Sequence, residues 1–239
     1  MTPARALRTQ MTASAALARV VNAKIQAASC HSPPVCCMTQ PVSVGPKNPP
    51  SAPMLVTRAS GPIKTAVVTG GASGIGQECA RQLREDGWRV AVWDRAGNGD
   101  DPAVDVADYA SVAAAARRLD GVDLLVNAAG IAGGREPVAE KDPAEWAQVL
   151  AVNLTGTFHC AHALYPHLKA RRGVVVNIAS VAGITMMKGR AHYAVSKAGV
   201  ATLTRSLANE WAADGIRVLA VAPGYVKTQM IERLSLIHI

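Results

Sequence analysis

The chain lacks several features that would assign it to a class at once. It has no uninterrupted apolar run of the roughly 20 residues that a membrane-spanning helix needs, and it has no internal repeat. None of its five cysteines has the Cys-x-x-Cys spacing of a zinc ribbon, and free thiols suit a reducing cytosol. Aromatic residues make up only 4% of the chain and hydrophobic residues 49%, which is typical of a globular α/β core. We therefore predict a cytoplasmic protein with no metal and no membrane partner.

Acidic residues are absent before Glu78, although the chain contains 17 of them. Five of the 25 basic residues lie before Met54, so the rest of the chain has 20 basic against 17 acidic residues. That balance is ordinary for a solvated surface. Most of the net charge of +8 therefore comes from the front segment, and we predict no nucleic-acid partner.

Residues 1–60 differ in composition from everything that follows. They are rich in Ala, Ser and Pro, and we predict that they form a disordered extension. One interpretation is that translation starts at Met54. The other is that Met1 to Ala28 forms a basic helix, which resembles an organellar transit peptide and would change the predicted location from the cytoplasm to an organelle.

Tyr193 and Lys197 form a Tyr-x-x-x-Lys pair, and Ser180 lies 13 residues upstream. Residues four apart on a helix share one face. An ammonium group beside a phenol favours the phenolate and lowers its pKa from the ordinary value near ~10. The pair is therefore a candidate acid and base for work near neutral pH.

A glycine-rich stretch, Thr69-Gly70-Gly71-Ala72-Ser73-Gly74-Ile75-Gly76, follows an apolar β-branched run and precedes a helical pattern. A strand, a glycine turn and a helix N-terminus together make a site for a pyrophosphate, because the backbone can approach closely and the helix dipole favours negative charge. The spacing is Gly-x-x-x-Gly-x-Gly, which differs from the Gly-x-Gly-x-x-Gly fingerprint of other dinucleotide-binding proteins.

Together with further motifs, these features resemble the short-chain dehydrogenases/reductases, in the compact branch of that family, over about Lys64 to Arg233. The further motifs occur in the order of the family: Asn127-Ala128-Ala129-Gly130, Val152-Asn153-Leu154-Thr155-Gly156, and Pro223-Gly224-Tyr225-Val226-Lys227-Thr228. One such motif would be weak evidence. So many in sequence leave little room for coincidence.

The resemblance implies hydride transfer between a nicotinamide cofactor and a secondary alcohol or ketone. It implies that Tyr193 passes the proton, that Ser180 hydrogen-bonds to the substrate oxygen, and that Lys197 lowers the pKa of Tyr193 and binds the cofactor ribose. It also implies that Asn153 holds a water molecule that links Lys197 to solvent. The cofactor contacts that follow are Gly70, Ser73, Gly74, Ile75, Gly76, Asp94, Asp105, Val106, Asn127, Ala128, Gly130, Tyr193, Lys197, Pro223, Gly224, Val226 and Thr228.

Cofactor choice depends on Asp94, at the end of the second predicted strand. A carboxylate there accepts hydrogen bonds from the adenosine ribose hydroxyls and repels a 2′-phosphate, so we predict NAD. The neighbouring Arg95 leaves NADP open, because an arginine can bind that phosphate.

Strand and helix patterns alternate, which predicts a doubly wound parallel sheet, a Rossmann fold, in a single domain over residues 61–233. The motif residues then fall at the carboxyl ends of strands, where such sheets bind ligands. The predicted strands are Lys64–Thr69, Arg89–Trp93, Ala103–Asp105, Val122–Asn127, Val174–Ile178 and Arg217–Ala222. The predicted helices are Gln77–Asp86, Tyr109–Leu119, one from Pro143 with Asp142 as N-cap, Thr157–Ala170 with a kink or end at Pro166, and His192–Ala213.

The substrate is not determined by these motifs. Gly183 to Arg190 is predicted to line its pocket. The resemblance is about equal to 3-oxoacyl-carrier-protein reductases and to sugar or polyol dehydrogenases. A nucleotide-binding regulator without catalysis, or a gene fragment without function, is the alternative.

The family normally continues after the Pro223 segment with further helices and a final strand, so we expect the last helix and strand to be missing. Residues 234–239 resemble a translated sequencing adapter, and we expect them to be an artefactual tail. The family pairs its subunits through the helices predicted at Thr157–Ala170 and His192–Ala213. A homodimer or homotetramer is therefore expected of the full-length form.

Overall fold

A computed structural model describes residues 63–97, 101–185, 187–226 and 228 of the 239-residue chain. The predicted extension over residues 1–60 and the predicted tail over residues 234–239 lie outside the described residues, as do Met186 and Lys227. Within the described part, no helix is long and apolar enough to cross a membrane.

Among the described residues, five parallel strands form one sheet in the order β2-β1-β3-β4-β5. Their bounds are β1 Thr65–Thr69, β2 Arg89–Trp93, β3 Leu124–Asn127, β4 Val174–Ile178 and β5 Arg217–Val221. The central strands are buried almost throughout, as expected when helices cover both faces of a parallel sheet. The predicted Rossmann-type fold is confirmed.

Helices connect the strands and cover the sheet. They are α1 Gly74–Glu85, α2 Tyr109–Ala116, α3 Pro143–Leu150, α4 Gly156–Arg171, α5 Ala182–Thr185 and α6 Ala191–Glu210, with a π-helical turn at Ala151–Thr155 and 3-10 turns at Val138–Glu140 and Ala212–Asp214. The predicted N-cap of α3 is confirmed, because the Asp142 side chain accepts a hydrogen bond of 2.9 Å from the Ala144 amide.

The core divides into two clusters, because side chains alternate across a strand. Val67 and Leu125 point to the face that α2, α4 and α6 cover, where they belong to a cluster that includes Leu164 and Leu207. Their neighbours along the strands point to the opposite face, where they pack with Cys79, Ala80 and Leu83 of α1. Because all strands are parallel, their carboxyl ends lie at the same edge of the packed sheet.

Two predictions about secondary structure are wrong. The segment Ala103–Asp105 is not a strand but makes a single parallel bridge, between Ala103 and Asp94. Its pairing is short because Pro102 offers no amide, and because the Asp105 side chain accepts from the Ala107 amide and turns the chain. Of the predicted kink or end at Pro166, the end is wrong, since α4 runs through it to Arg171, and the kink stays a prediction.

Candidate active site

A cavity of about 640 Å³ opens at the carboxyl ends of the strands. It brings together 17 of the 19 residues that the sequence predicts for catalysis and cofactor binding. These are Gly70, Ser73, Gly74, Ile75, Gly76, Asp94, Asp105, Val106, Ala128, Gly130, Ser180, Tyr193, Lys197, Pro223, Gly224, Val226 and Thr228. Asn127 and Asn153 do not line the cavity.

The turn between β1 and α1 requires its glycines. Gly70 has φ +64°, and a β-carbon there would lie 2.7 Å from the Cα of Ala129. A β-carbon at Gly76 would lie 2.3 Å from the carbonyl oxygen of Gly70. The N-cap residue of α1, Ser73, makes no side-chain capping bond, and the first turn carries no acidic residue. A positive helix end with an uncommitted hydroxyl fits a pyrophosphate.

Asp94 follows β2 at the edge of the same cavity. Its Oδ2 accepts a hydrogen bond of 3.2 Å from the Ala72 amide, and its Oδ1 accepts one of 3.2 Å from the Ala96 amide. These two bonds orient the carboxylate and use about half of its roughly four lone-pair sites. The remaining sites fit the two hydroxyls of a ribose. Arg95 lines the cavity beside it.

Tyr193 and Ser180 line the same cavity. Tyr193 belongs to the first turn of α6, and Ser180 lies two residues past the end of β4. Burial raises the pKa of Tyr193 above its ordinary value, whereas the hydrogen bond with Ser180 and the charge of Arg190 lower it. The sequence predicts a net decrease, but in this structure desolvation of the phenolate is the larger effect.

Lys197 is buried one turn after Tyr193. Its Nζ donates a hydrogen bond of 2.7 Å to the Ile178 carbonyl oxygen and lies 5.9 Å from the centre of the Tyr193 ring. Burial lowers the pKa of Lys197 to about 8.

Asn127 lies beneath the cavity rather than on its surface. Its Nδ2 donates a hydrogen bond of 2.9 Å to Asn177 Oδ1, and Asn177 Nδ2 in turn donates one of 2.9 Å to Thr204 Oγ1. This buried chain joins β3, β4 and α6. Asn127 therefore contributes to the packing beneath the cavity, and its predicted contact with the cofactor stays a prediction.

Asn153 is fully buried in the π-helical turn. Its Nδ2 donates to the Ile131 carbonyl (2.9 Å) and to Ser196 Oγ (3.0 Å). Both Asn153 and Lys197 flank Gly130, where a β-carbon would lie 3.2 Å from Asn153 Oδ1 and 3.5 Å from Lys197 Nζ. The role of Asn153 in holding a water molecule stays a prediction.

The structure adds residues that the motifs did not indicate. Gln148 and Val152 line the cavity from α3 and the π-helical turn, and Ile131 and Ala132 line it from the loop after β3. Gln148 and Val152 are four residues apart and therefore share one helix face, and Val152 directly precedes Asn153. This spacing could have indicated both residues from the sequence. Conversely, none of the described residues of Gly183–Arg190 lines this cavity, so their predicted contact with the substrate stays a prediction.

Comparison with known proteins agrees with this geometry. Residues 64–236 match the family model described as short chain dehydrogenase. The chain belongs to this family. It is therefore an NAD(P)-dependent oxidoreductase, and the sequence-based prediction of that activity is confirmed.

Three curated relatives show how broad the family is. The chain is 43% identical to cis-4-hydroxycyclohexanecarboxylate dehydrogenase of Sinomonas cyclohexanicum, over 72% of this chain and 76% of the relative. It is 37% identical to 2-dehydro-3-deoxy-L-rhamnonate dehydrogenase (NAD(+)) of Sphingomonas sp. SKA58, over 72% and 75%. It is also 37% identical to the 3-oxoacyl-[acyl-carrier-protein] reductase of Staphylococcus aureus, over 72% and 78%.

Solved structures are similar in fold and in sequence. A gluconate 5-dehydrogenase from Burkholderia cenocepacia J2315, in complex with NADP and tartrate, superposes with a TM-score of 0.67 at 34% identity, over 72% of this chain and 74% of that one. A structure named ribose-5-phosphate isomerase, from Brucella melitensis 16M, superposes with a TM-score of 0.69 at 38% identity, over 74% of both chains.

Proposed function

We propose that this chain is an NAD-dependent dehydrogenase of a secondary alcohol, with Tyr193 as the acid and base. The observation that carries the proposal is that Ser180, Tyr193 and Lys197 share one cavity with the glycine turn and Asp94. The cofactor supplies hydride chemistry when it is bound. Tyr193 exchanges the proton of the substrate oxygen at its hydroxyl, and Ser180 hydrogen-bonds to that oxygen. Lys197 orients the cofactor ribose through its ammonium group.

The preference for NAD rests on Asp94. Its carboxylate is fixed by two amides and has acceptor sites left for ribose hydroxyls, whereas a 2′-phosphate at the same place would meet a negative charge. The relative from Sphingomonas, whose name specifies NAD, supports this choice. Arg95 and the NADP complex of the gluconate 5-dehydrogenase favour the phosphorylated cofactor instead.

We propose a small hydroxy carboxylate as the substrate class. The names of two curated relatives and of one solved structure specify carboxylates, and the first of them is the relative with 43% identity. A 3-oxoacyl thioester is the second candidate, because the Staphylococcus aureus relative is named for that activity.

A substrate panel tests the proposal. The purified chain is assayed with NAD and with NADP against hydroxy carboxylates, uncharged polyols and a 3-oxoacyl thioester, and cofactor binding is followed by fluorescence. We expect the highest kcat/KM for a hydroxy carboxylate with NAD. Preference for the thioester would support the second candidate. Cofactor binding without turnover of any compound, or conversion of ribose 5-phosphate without a cofactor, would contradict a dehydrogenase function.

Assembly as a homodimer or homotetramer is part of the same proposal. Phe158 on α4 is 44% exposed, and its ring contacts those of His159 and His162, which Tyr109 also contacts. An exposed aromatic cluster on this helix supports association through it. Light scattering of the purified chain measures the mass. A cytoplasmic location stays a prediction from the sequence.

A further inference from the structure

The loop after β3 is held in place by side chains from other elements. The amide of Ile131 donates to Asn153 Oδ1 (2.8 Å), and the amide of Gly134 donates to Glu145 Oε1 (2.6 Å). Ile131 and Ala132 line the cavity. The segment Ile131–Gly134 is therefore a fixed part of the cavity wall rather than a free loop.

Arg190 binds the middle of the Ile131–Gly134 segment. Its Nη1 donates hydrogen bonds to the carbonyl oxygens of Ala132 (3.0 Å) and Gly133 (2.6 Å). Arg190 is the N-cap residue of α6, and its own carbonyl accepts a hydrogen bond of 2.8 Å from the Ala194 amide. One side chain therefore ties the cavity wall to the first turn of the helix that carries Tyr193.

The charge of Arg190 is not neutralised by a direct partner. The residue is only 3% exposed, its Nη2 is buried without a hydrogen-bond partner, and no carboxylate among the described residues forms a salt bridge with it. The nearest acidic group on α3, Glu145, instead faces Lys141 at 3.4 Å and His192 at 3.6 Å. A buried charge without a direct salt-bridge partner is screened less by solvent and salt than an exposed one.

We propose that Arg190 is a positioning residue, which fixes the Ile131–Gly134 wall to α6 and holds an unpaired positive charge one turn before Tyr193. This proposal rests on the proposed role of Tyr193 as acid and base. The charge opposes the desolvation of the phenolate and so lowers the pKa of Tyr193. The other polar or charged groups near these two side chains are Ser180 and Lys197 at Tyr193, and Arg135, Glu136 and Glu145 at Arg190.

Three variants separate the charge from the attachment. Arg190→Gln removes the charge, and Arg190→Lys keeps the charge but lacks the planar fork that reaches two carbonyls. Arg205→Gln removes a charge from an exposed position of the same helix and is the matched control. Ionisation of Tyr193 is measured without substrate, as the part of the total tyrosinate absorbance that is lost in Tyr193→Phe. The parameters kcat and KM are measured with the best substrate of the panel.

In Arg190→Gln, we expect the titration of Tyr193 to move up by about 1 pH unit and kcat near neutral pH to fall about tenfold, because less tyrosinate forms. In Arg190→Lys, the titration should stay close to that of the parent, and KM should rise at least about threefold because the wall is less well fixed. Arg205→Gln should match the parent in both measurements.

An unchanged Tyr193 titration in Arg190→Gln would overturn the proposal, and so would a parental KM in Arg190→Lys. If Arg190→Gln does not fold, the KM of Arg190→Lys alone tests the proposal: a raised KM supports it, and a parental KM overturns it. If Tyr193→Phe stays active, the proposed function is wrong, but the absorbance titration still reports whether Arg190 acts on the tyrosine.

Discussion

Lys197 donates a hydrogen bond of 2.7 Å to the carbonyl oxygen of Ile178, the last residue of β4. The lysine is buried, and this burial lowers its pKa to about 8. At neutral pH the native state therefore carries a buried ammonium ion that the unfolded state keeps in water. A residue that is proposed for catalysis is thus expected to reduce stability.

Replacing this lysine should stabilise the protein. In the unfolded chain Lys197 titrates near ~10.4, and in the folded chain near about 8. Between these pH values the unfolded state binds more protons, so the stability of the parent protein rises with pH in this window. Below about pH 8 the folded protein bears the full free-energy cost of burying the Lys197 ammonium group. That cost is on the order of 3 kcal/mol, and the lost bond to Ile178 offsets about 1 kcal/mol of it.

We therefore expect Lys197→Met to raise the free energy of unfolding at pH 7 by about 2 kcal/mol while activity is lost. The gain should shrink as the pH rises from about 8 toward 10. Urea unfolding at both ends of that window measures it, with the exposed Lys188→Met as control. A Lys197→Met protein that is less stable than the parent at pH 7 would show that burial of this lysine carries no net cost.

Tyr193→Phe should nearly abolish turnover and leave cofactor binding almost unchanged. The ring remains, and only the transferable proton is lost, so we expect kcat to fall by about 10²–10⁴-fold. Tyr109→Phe, at an exposed tyrosine outside the cavity, controls for loss of a phenol. Steady-state kinetics and a cofactor-fluorescence titration measure the two effects. Turnover within a few-fold of the parent would remove Tyr193 from the proposed role.

The sequence predicts those parts of the site that depend on local backbone chemistry. Gly70, Asp94 and Ser180 follow apolar runs, and such runs become buried parallel strands whose ends meet at one edge. The balance at Tyr193 could not be predicted, because the motif gives the neighbours of the phenol but not its burial. Asn127 likewise sits in a motif, but its side chain turns into the core toward Asn177.

Long-range contacts explain what the sequence did not reveal. Arg190 binds carbonyls 58 and 57 residues away, and no local pattern indicates such a pair. The sequence predicts a kink or an end at Pro166, but α4 continues through it. Pro166 lies on an exposed face together with His162, whose carbonyl loses its helical donor but remains close to water.

Asp94→Asn should shift cofactor preference toward NADP. The substitution keeps the size of the side chain but removes the charge that repels a 2′-phosphate and weakens hydrogen bonds to ribose hydroxyls. We expect the ratio of kcat/KM for NAD over NADP to fall at least about tenfold, which requires only about 1.4 kcal/mol. Asp120→Asn, at an exposed site, is the control. A parent enzyme that already prefers NADP would show that Arg95 outweighs Asp94.

The buried amide chain beneath the cavity should contribute measurably to stability. Asn177 is fully buried, and its Nδ2 donates to Thr204 Oγ1, which donates in turn to the Val200 carbonyl oxygen (2.7 Å). In Thr204→Val the side chain keeps its shape, but the buried Asn177 amide loses its acceptor. We expect the free energy of unfolding to fall by about 1–3 kcal/mol.

Thr202→Val is the matched control for this change. Thr202 is exposed on the same helix, where its hydroxyl accepts a hydrogen bond of 3.0 Å from Arg205. Its replacement should change the free energy of unfolding by less than about 0.5 kcal/mol. Urea denaturation of both variants under one condition provides the comparison. Equal stability of the two variants would show that the Asn127–Asn177–Thr204 chain only satisfies buried polar groups without stabilising the junction of β3, β4 and α6.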